Sequence, residues 1–335
     1  MCDCLLALGP ATESGRATFA KNSDRPPSEA QVIEWLPPRR DAEPRRATYI
    51  DVAPCDRDTI GALVSRPRWM WGVEHGVNAA GVAVGNATIY TTLDPRDAPP
   101  ALTGMDLVRL ALERAATAAD AVAVVIELLE RYGQGGSGYE TADHPYWSSF
   151  LIGDPTDGWV VETSGRAWAS EQVGRTRATS NRTTIFEFDA ANRHPRQPVQ
   201  RLVDPRLHAS QRALAGEPVG VHDLAVHLRT HAGIDGYSVC MHAADQATTA
   251  SMIAELPGAV HVLLGSPCSS IYVPLFVGRD IGTPPVWERF AALRPAHRAA
   301  LDDLERRLAA DATDEDAWAT EAWRRVDETL TALGV

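Results

Sequence analysis

Lysine is all but missing from this chain: of 335 residues and 32 cationic side chains, Lys21 is the only lysine. Acidic residues outnumber basic ones 44 to 32, giving a net charge of −12 and a sequence pI near 5.3. A protein that neutralises phosphates needs a cationic face, and no local basic cluster supplies one, so nucleic acid is excluded as a partner. Long apolar runs are also missing. Nothing approaches the roughly 20 consecutive apolar residues of a membrane helix, so no membrane partner is expected. The opening residues have no basic n-region, and LLAL is too short for a signal-peptide core, which points to a cytoplasmic protein. Five cysteines, an odd count without paired spacing, read as reduced thiols rather than a disulfide framework. The glycine-rich run at 133–138 lacks the Lys-Ser/Thr ending of a phosphate loop, so no nucleotide cofactor is expected.

The chemistry concentrates at the start, MCDCLLALGPATESGRATFAKNSDR. Cys2 directly follows the initiator methionine and is small enough to permit its removal, after which one carbon would carry both a thiol and a free α-amine. A free thiol has a pKa of about 8.5 and an α-amine about 7.7–8.0, so the pair can act as nucleophile and base without a histidine. The apolar run after Cys2, the turn through Glu13-Ser14-Gly15 and the run Ala17–Ala20 predict a β-hairpin. Such a hairpin sets Cys2 beside Lys21, Asn22, Asp24 and Arg25. There Asp24 can accept from the α-ammonium and Lys21 can lower the thiol pKa. Cys4, two residues on, shares the face of Cys2 but has no α-amine and is read as structural. The survival of one lysine in an arginine-rich sequence suggests a role for its compact ammonium that a guanidinium does not fill.

CDCLLALGPAT…FAKNSDRP resembles the opening of the secernins and related dipeptidases, which are N-terminal nucleophile cysteine hydrolases akin to penicillin V acylase and choloylglycine hydrolase. Further matching blocks are SRPRWMWGVEHGVNAAGVAVGN at 65–86, GMDLVRLALERA at 104–115 and ERYGQGG at 130–136. SSFLIGD, WVVET, TSN at 179–181 and TTASMIAELP at 248–257 match more weakly. The resemblance implies an α+β, four-layer αββα fold over residues 2–284, with 285–335 as a helical C-terminal extension.

The pattern along the chain agrees. Strands are predicted at 32–36, 47–52, 59–65 and 82–84, with a turn at Gly76–Gly81 and strand ends at Gly85-Asn86. A helical pair follows, the second helix opening at an N-cap near Thr117. Asp154-Pro155-Thr156-Asp157-Gly158 joins two strands in a hairpin, and further strands are read at 168–173 and 177–180. Helical pieces are expected at 206–214 and 221–230, and strands at 250–256, 259–264 and 270–277. Residues 285–333 carry an apolar stripe through Trp287, Leu301, Leu308, Trp318 and Trp323, read as packing on its own domain or on a second subunit as a homo-oligomer contact.

Cys2 is the candidate nucleophile and Asp24 its partner at the amine. By resemblance Asn86 and Asn181 supply an oxyanion-stabilising amide and a contact to substrate or α-amine. Lys21 stands where the related acylases and bile-salt hydrolases have arginine. Arg25 is read as pairing with a substrate carboxylate or lying in a surface ion pair. Trp71 and Glu74 fall in the longest matched block and are expected in the pocket, and by resemblance to the related acylases Arg212, on the helix at 206–214, corresponds to their distal arginine. His227 and His231 stand at i, i+4 without the glutamate of the zinc hydrolase motif. They, His222 and the Cys240-Met241-His242 segment are therefore read as packing or surface residues. Cys55 and Cys268 are read as ordinary thiols, and no metal or other cofactor is expected. The expected activity is cleavage of an amide bond in a small dipeptide, aminoacyl or acyl amide through a thioester. The alternatives are an amide-forming acyltransferase and a non-catalytic, secernin-like binding protein.

Overall fold

The computed structural model describes residues 1–197 and 199–335. Strand β1 (Cys2–Ala7) turns through a 3-10 segment at Gly9–Ala11 into β2 (Ala17–Arg25). A second sheet begins with β3 (Gln31–Leu36). After a small ribbon of β4 (Arg45–Arg46) and β5 (Asp51–Val52) it continues through β6 (Ala62–Pro67), β7 (His75–Asn78) and β8 (Ala83–Ile89). Helices α1 (Gly104–Arg114) and α2 (Ala118–Tyr132) precede β9 (Trp147–Gly153), β10 (Gly158–Ser164) and β11 (Ala167–Gln172). Strand β12 (Thr176–Thr179) returns to the first sheet. Helices α3 (Phe186–Asn192), α4 (Val199–Leu202), α5 (Asp204–Ala215) and α6 (Val221–Leu228) follow, then a ribbon of β13 (Gly233–Ile234) and β14 (Tyr237–Ser238). The chain ends with β15 (Ala247–Leu256), β16 (Ala259–Leu264), β17 (Val273–Phe276) and helices α7 (Trp287–Ala291), α8 (Arg298–Asp311) and α9 (Trp318–Ala332).

The first sheet has the order β12-β1-β2-β15-β16-β17 and the second β11-β10-β9-β8-β7-β6-β3, every pairing antiparallel. Side chains alternate across a strand, and β1 shows the consequence. Cys4 and Leu6 enter the core between the sheets with Phe19, Leu63, Val77 and Leu151. Leu5 and Ala7 face the other way, into a core closed by Leu207 and Leu214 of α5 and Leu224 and Leu228 of α6. On the far side, α1 and α2 cover the second sheet through Leu107, Leu112, Val125 and Leu128 packed on Val64, Val84 and Ile152. The result is the expected four layers, helix-sheet-sheet-helix. No helix among the described residues is long and apolar enough to cross a membrane.

Local chemistry explains the helix starts. Thr103 Oγ1 accepts from Asp106 N at 3.1 Å while Asp106 Oδ2 accepts from Thr103 N at 2.9 Å, a closed capping box on α1. Thr117 Oγ1 accepts from Asp120 N at 3.1 Å and opens α2 as expected. Three strand assignments are corrected. Residues 47–52 are not one strand but the turn and edge of the β4–β5 ribbon. Residues Gly76-Val77-Asn78, expected in a turn, belong to β7, and the turn is confined to 79–81. Strand β8 does not end at Gly85-Asn86 but runs to Ile89, because β9 continues to pair with it as far as Ile89↔Trp147.

The apolar stripe of α8 and α9 lies against the first sheet, where Leu301, Leu304, Leu308, Trp318 and Trp323 share a core with Val260, Val262 and Val273. Trp318 Nε1 donates to Pro274 O at 2.7 Å and Trp323 Nε1 to Ile281 O at 2.8 Å, so both indoles are buried without an orphaned N–H.

Candidate active site

The hairpin register places Cys2 opposite Ser23 and Cys4 opposite Lys21. Because β2 alternates, Lys21 and Arg25 leave on the inter-sheet side and Asn22 and Asp24 on the helix side. The backbone N of Cys2 donates to Asn181 Oδ1 at 3.0 Å, and Asn181 Nδ2 donates to Thr88 O at 2.9 Å, which fixes the amide's orientation. Met1 stands in front of Cys2. Its ammonium donates to Asp24 O at 3.1 Å and Gln246 Oε1 at 3.2 Å, and its carbonyl accepts from Asp24 N at 2.9 Å. Cys2 itself is 4% exposed. Burial pushes its thiol above the ordinary range, while the Lys21 ammonium and the chain's amino terminus oppose that rise.

On the inter-sheet side four buried charges balance. Lys21 Nζ donates to Glu74 Oε2 at 3.0 Å, and Arg25 Nη1 donates to Glu74 Oε1 at 2.8 Å. Arg25 Nε donates to Glu29 Oε2 at 3.0 Å. Burial alone would raise Glu74, but the two cations outweigh it and hold its carboxyl down at about 2. Burial alone would lower Lys21, but Cys2 and Glu74 outweigh it and raise its pKa. The stem of Lys21 runs against Gly85, where a Cβ would stand 2.8 Å from Lys21 Cδ.

On the helix side Arg206 of α5, fully buried, organises a second network. Its Nη1 donates to Asp3 Oδ2 at 3.0 Å and its Nη2 to Asn181 Oδ1 at 2.6 Å. The same guanidinium lies 3.6 Å from Asp24 Oδ2, an ion-pair distance without a hydrogen bond. Asp24 Oδ1 accepts from Thr248 Oγ1 at 2.6 Å. Burial raises the Asp24 carboxyl to about 6, against the opposing pull of the terminal ammonium and Arg206.

Beyond Met1 opens a cleft of about 820 Å³. One wall is aromatic: Tyr139 stacks on His144 with ring centroids 4.6 Å apart, and Tyr90 Oη lies 2.6 Å from His144 Nε2. Arg96 and Arg196 add positive charge, and Tyr237, Asp245 and Gln246 complete the lining.

The structure thus gathers Cys2, Lys21, Asp24, Glu74 and Asn181 around one strand end, but Lys21 and Glu74, expected to bind substrate, are buried in an ion pair with each other and do not line the cleft. Other expectations need correction. Arg25 is neither a surface ion pair nor open to a substrate carboxylate: it is 1% exposed and its guanidinium is held by Glu29, Glu74 and Gly138 O. Arg212 is exposed at the end of α5 and does not reach the site. Arg206, six residues earlier, occupies that place. Trp71 packs with the α1–α2 core beneath Arg109, whose guanidinium lies 4.3 Å from its ring, and does not line the cleft. Asn86 makes no hydrogen bond to Cys2: its Nδ2 is turned to Met105 Sδ at 3.3 Å, and its Oδ1 has no partner among the described residues. His227 is a packing residue bonded to Ser210 at 2.9 Å. Cys268, by contrast, is not an isolated thiol, since it meets His242 Nε2 at 3.2 Å.

Asp3, Glu29 and Arg206 were missed by sequence reasoning. Asp3 carried a signal, because an acidic residue inside the apolar run of β1 needs a buried cation.

No family model matches the chain. Among solved structures it is similar to a C2A mutant of conjugated bile acid hydrolase from Clostridium perfringens, with TM-score 0.52 and 11% identity over 82% of this chain and 92% of that one. It is also similar to penicillin V acylase from Agrobacterium tumefaciens, with TM-score 0.51 and 12% identity over 82% and 86% of the two chains. Likeness at this identity establishes architecture: the chain has the four-layer αββα fold of the N-terminal nucleophile hydrolases.

Proposed function

We propose that the protein is a cysteine amidohydrolase in which Cys2, exposed by removal of Met1, cleaves the amide bond of a small dipeptide, aminoacyl or acyl amide. The observation that carries this reading is the position of Cys2 N, 3.0 Å from Asn181 Oδ1, directly behind Met1, which lines the cleft. Loss of Met1 would turn that nitrogen into an α-amine already oriented by Asn181 and would open the thiol to the cleft.

Because a thiol of ordinary pKa, about 8.5, is mostly protonated at neutral pH, attack requires a base, and the α-amine on the same residue serves. Its nitrogen takes the thiol proton as Sγ bonds to the carbonyl carbon. The resulting ammonium gives that proton to the leaving nitrogen as the C–N bond breaks. Water, deprotonated by the same amine, then resolves the thioester to an acid and free Cys2. Asp24 and Arg206 hold the amine end from the helix side. For the oxyanion we assign Asn86 Nδ2 together with backbone donors: a thioether is a weak acceptor, so the Asn86 amide is the side-chain donor most easily drawn to a developing charge. The aromatic wall with Arg96 and Arg196 suits a substrate that joins an apolar or aromatic group to a carboxylate.

The test begins with the intact mass of untagged protein and peptide mapping after limiting iodoacetamide. The expected result is a chain starting at Cys2 that alkylates there ahead of the other thiols and hydrolyses members of a dipeptide and acyl-amide panel, with C2A inactive. Retained or acetylated Met1 in active protein, or a C2A variant that keeps its activity, overturns the reading.

A further inference from the structure

Away from the cleft, loops collect four soft ligands that the proposed hydrolysis does not use. His231 follows α6, Cys240 and His242 lie between β14 and β15, and Cys268 lies between β16 and β17. One nitrogen or sulfur atom from each of the four residues falls within 4.8 Å of those of the other three. Cys240 Sγ is 3.4 Å from His242 Nε2, which is 3.2 Å from Cys268 Sγ. A tetrahedral zinc with bonds of about 2.3 Å to sulfur and 2.0–2.1 Å to nitrogen requires ligand-to-ligand edges of roughly 3.3–3.8 Å. The two sulfur-to-nitrogen edges lie within a few tenths of an ångström of this range, and the longest separation calls for a contraction of about 1 Å.

The backbone is braced for such a site. Cys240 N donates to Thr230 O at 2.8 Å, His242 N to Gly236 O at 2.9 Å and Met241 N to Thr248 Oγ1 at 2.8 Å. Cys240 is buried and His231 exposed, so the cluster has an anchored floor and a path for an ion from solvent. Two thiolates and two imidazoles select a soft or borderline cation, and a complete set of four protein ligands is the structural rather than the catalytic arrangement.

We propose that His231, Cys240, His242 and Cys268 form a structural tetrahedral zinc site that fastens the 229–246 segment to the β16–β17 loop. The segment carries Tyr237, Asp245 and Gln246 of the cleft wall, and Thr248 beyond it donates to Asp24. The clamp therefore steadies part of the cleft lining and, through Thr248, bears on Asp24, and its existence does not depend on the proposed activity.

Untagged protein from zinc-replete cells, dialysed against metal-free buffer and measured by mass spectrometry of the elements, should retain one zinc per chain. Cobalt exchanged into the same protein should give the visible bands of tetrahedral Co(II) with thiolate-to-metal charge transfer. C268S and H231A should each lose the retained zinc, whereas C55S should keep it. Because His231 is exposed, H231A decides the matter even if C268S fails to fold. Wild-type protein without retained zinc and without the cobalt spectrum overturns the proposal. A Cys240–Cys268 disulfide in the native mass, or full zinc retention by H231A and C268S, does so equally.

Discussion

Replacing Arg206 with methionine keeps the aliphatic stem and removes the one cation that faces Asp3 and Asp24 from α5. Both carboxylates have fully buried side chains, at 3.0 Å and 3.6 Å from the guanidinium. Asn181 Oδ1 also loses its 2.6 Å bond. Breaking a buried pair by removing one partner costs about 3–5 kcal/mol, against a typical domain stability of about 5–15 kcal/mol. The cost depends on pH with a definite sign. Asp24 already has its pKa raised to about 6, and without Arg206 its folded-state pKa rises further above its unfolded value. The folded variant then binds more protons than the unfolded chain, so its stability falls as pH rises through this range. Urea unfolding followed by tryptophan fluorescence should give a loss of about 3–5 kcal/mol near pH 8 and a visibly smaller one near pH 5.5. R206M/D3N should recover part of the loss, and R212A, exposed on the same helix, should stay within about 0.5 kcal/mol of wild type. A loss below about 1 kcal/mol, or one of equal size at both pH values, would refute the view that Arg206 is the keystone of this network.

The raised Asp24 pKa also predicts an acid limb in kcat/KM centred near 6, with activity rising as the carboxylate forms; in D24N the limb should vanish along with most of the rate. Gly85→Ala places a Cβ 2.8 Å from Lys21 Cδ and 2.9 Å from Phe19 Cζ. That should cost about 1–3 kcal/mol in thermal or urea unfolding, and a neutral result would mean that the lysine stem is not confined there. Trp318→Ala empties a buried position and leaves Pro274 O without its 2.7 Å donor. An expected loss of about 3–5 kcal/mol should appear as one cooperative transition if the C-terminal helices and the sheet share a core, and as separate melting of the helices if they do not.

What could be read from the sequence follows the range over which its signals act. The first hairpin was legible because the apolar run, its turn and the second run are adjacent, and the α1–α2 pair because Thr117 and the helical periodicity are local. Strand β7 was misread because Gly76 and Gly81 resemble a turn, whereas pairing with β6 and β8 on both sides holds Gly76 extended. The choice between Arg206 and Arg212 was not local. Six residues turn a helix by about 600°, or 240° net, so the two point to different faces, and only the packing of Leu207 and Leu214 against β1 decides which face turns inward. The cluster at Cys268 was illegible for a similar reason, since the β15–β16 hairpin brings it back to His242 from 26 residues away.

The single lysine poses the sharpest remaining question, whether Lys21 serves the thiol or merely pairs with Glu74. The two carboxylate contacts of Glu74 separate these roles. In K21M, Glu74 keeps its 2.8 Å bond to Arg25, so the carboxylate is not orphaned and the loss of stability should be smaller than for R206M. The thiol, however, loses the cation that opposes its burial. A neighbouring opposite charge is worth about 1–3 in pKa, so alkylation of Cys2 at neutral pH should slow by about tenfold or more and its pH profile should move upward. Glu74 acts on the thiol with the opposite sign, and E74Q should therefore shift the profile downward while weakening the Lys21 and Arg25 contacts. Alkylation rates of Cys2, read peptide by peptide against Cys55 as an internal reference, measure both shifts in one experiment. Opposite displacements in K21M and E74Q place Lys21 in the electrostatics of the nucleophile. If stability changes while both profiles stay where the wild type has them, Lys21 is a buried ion-pair partner of Glu74 and nothing more.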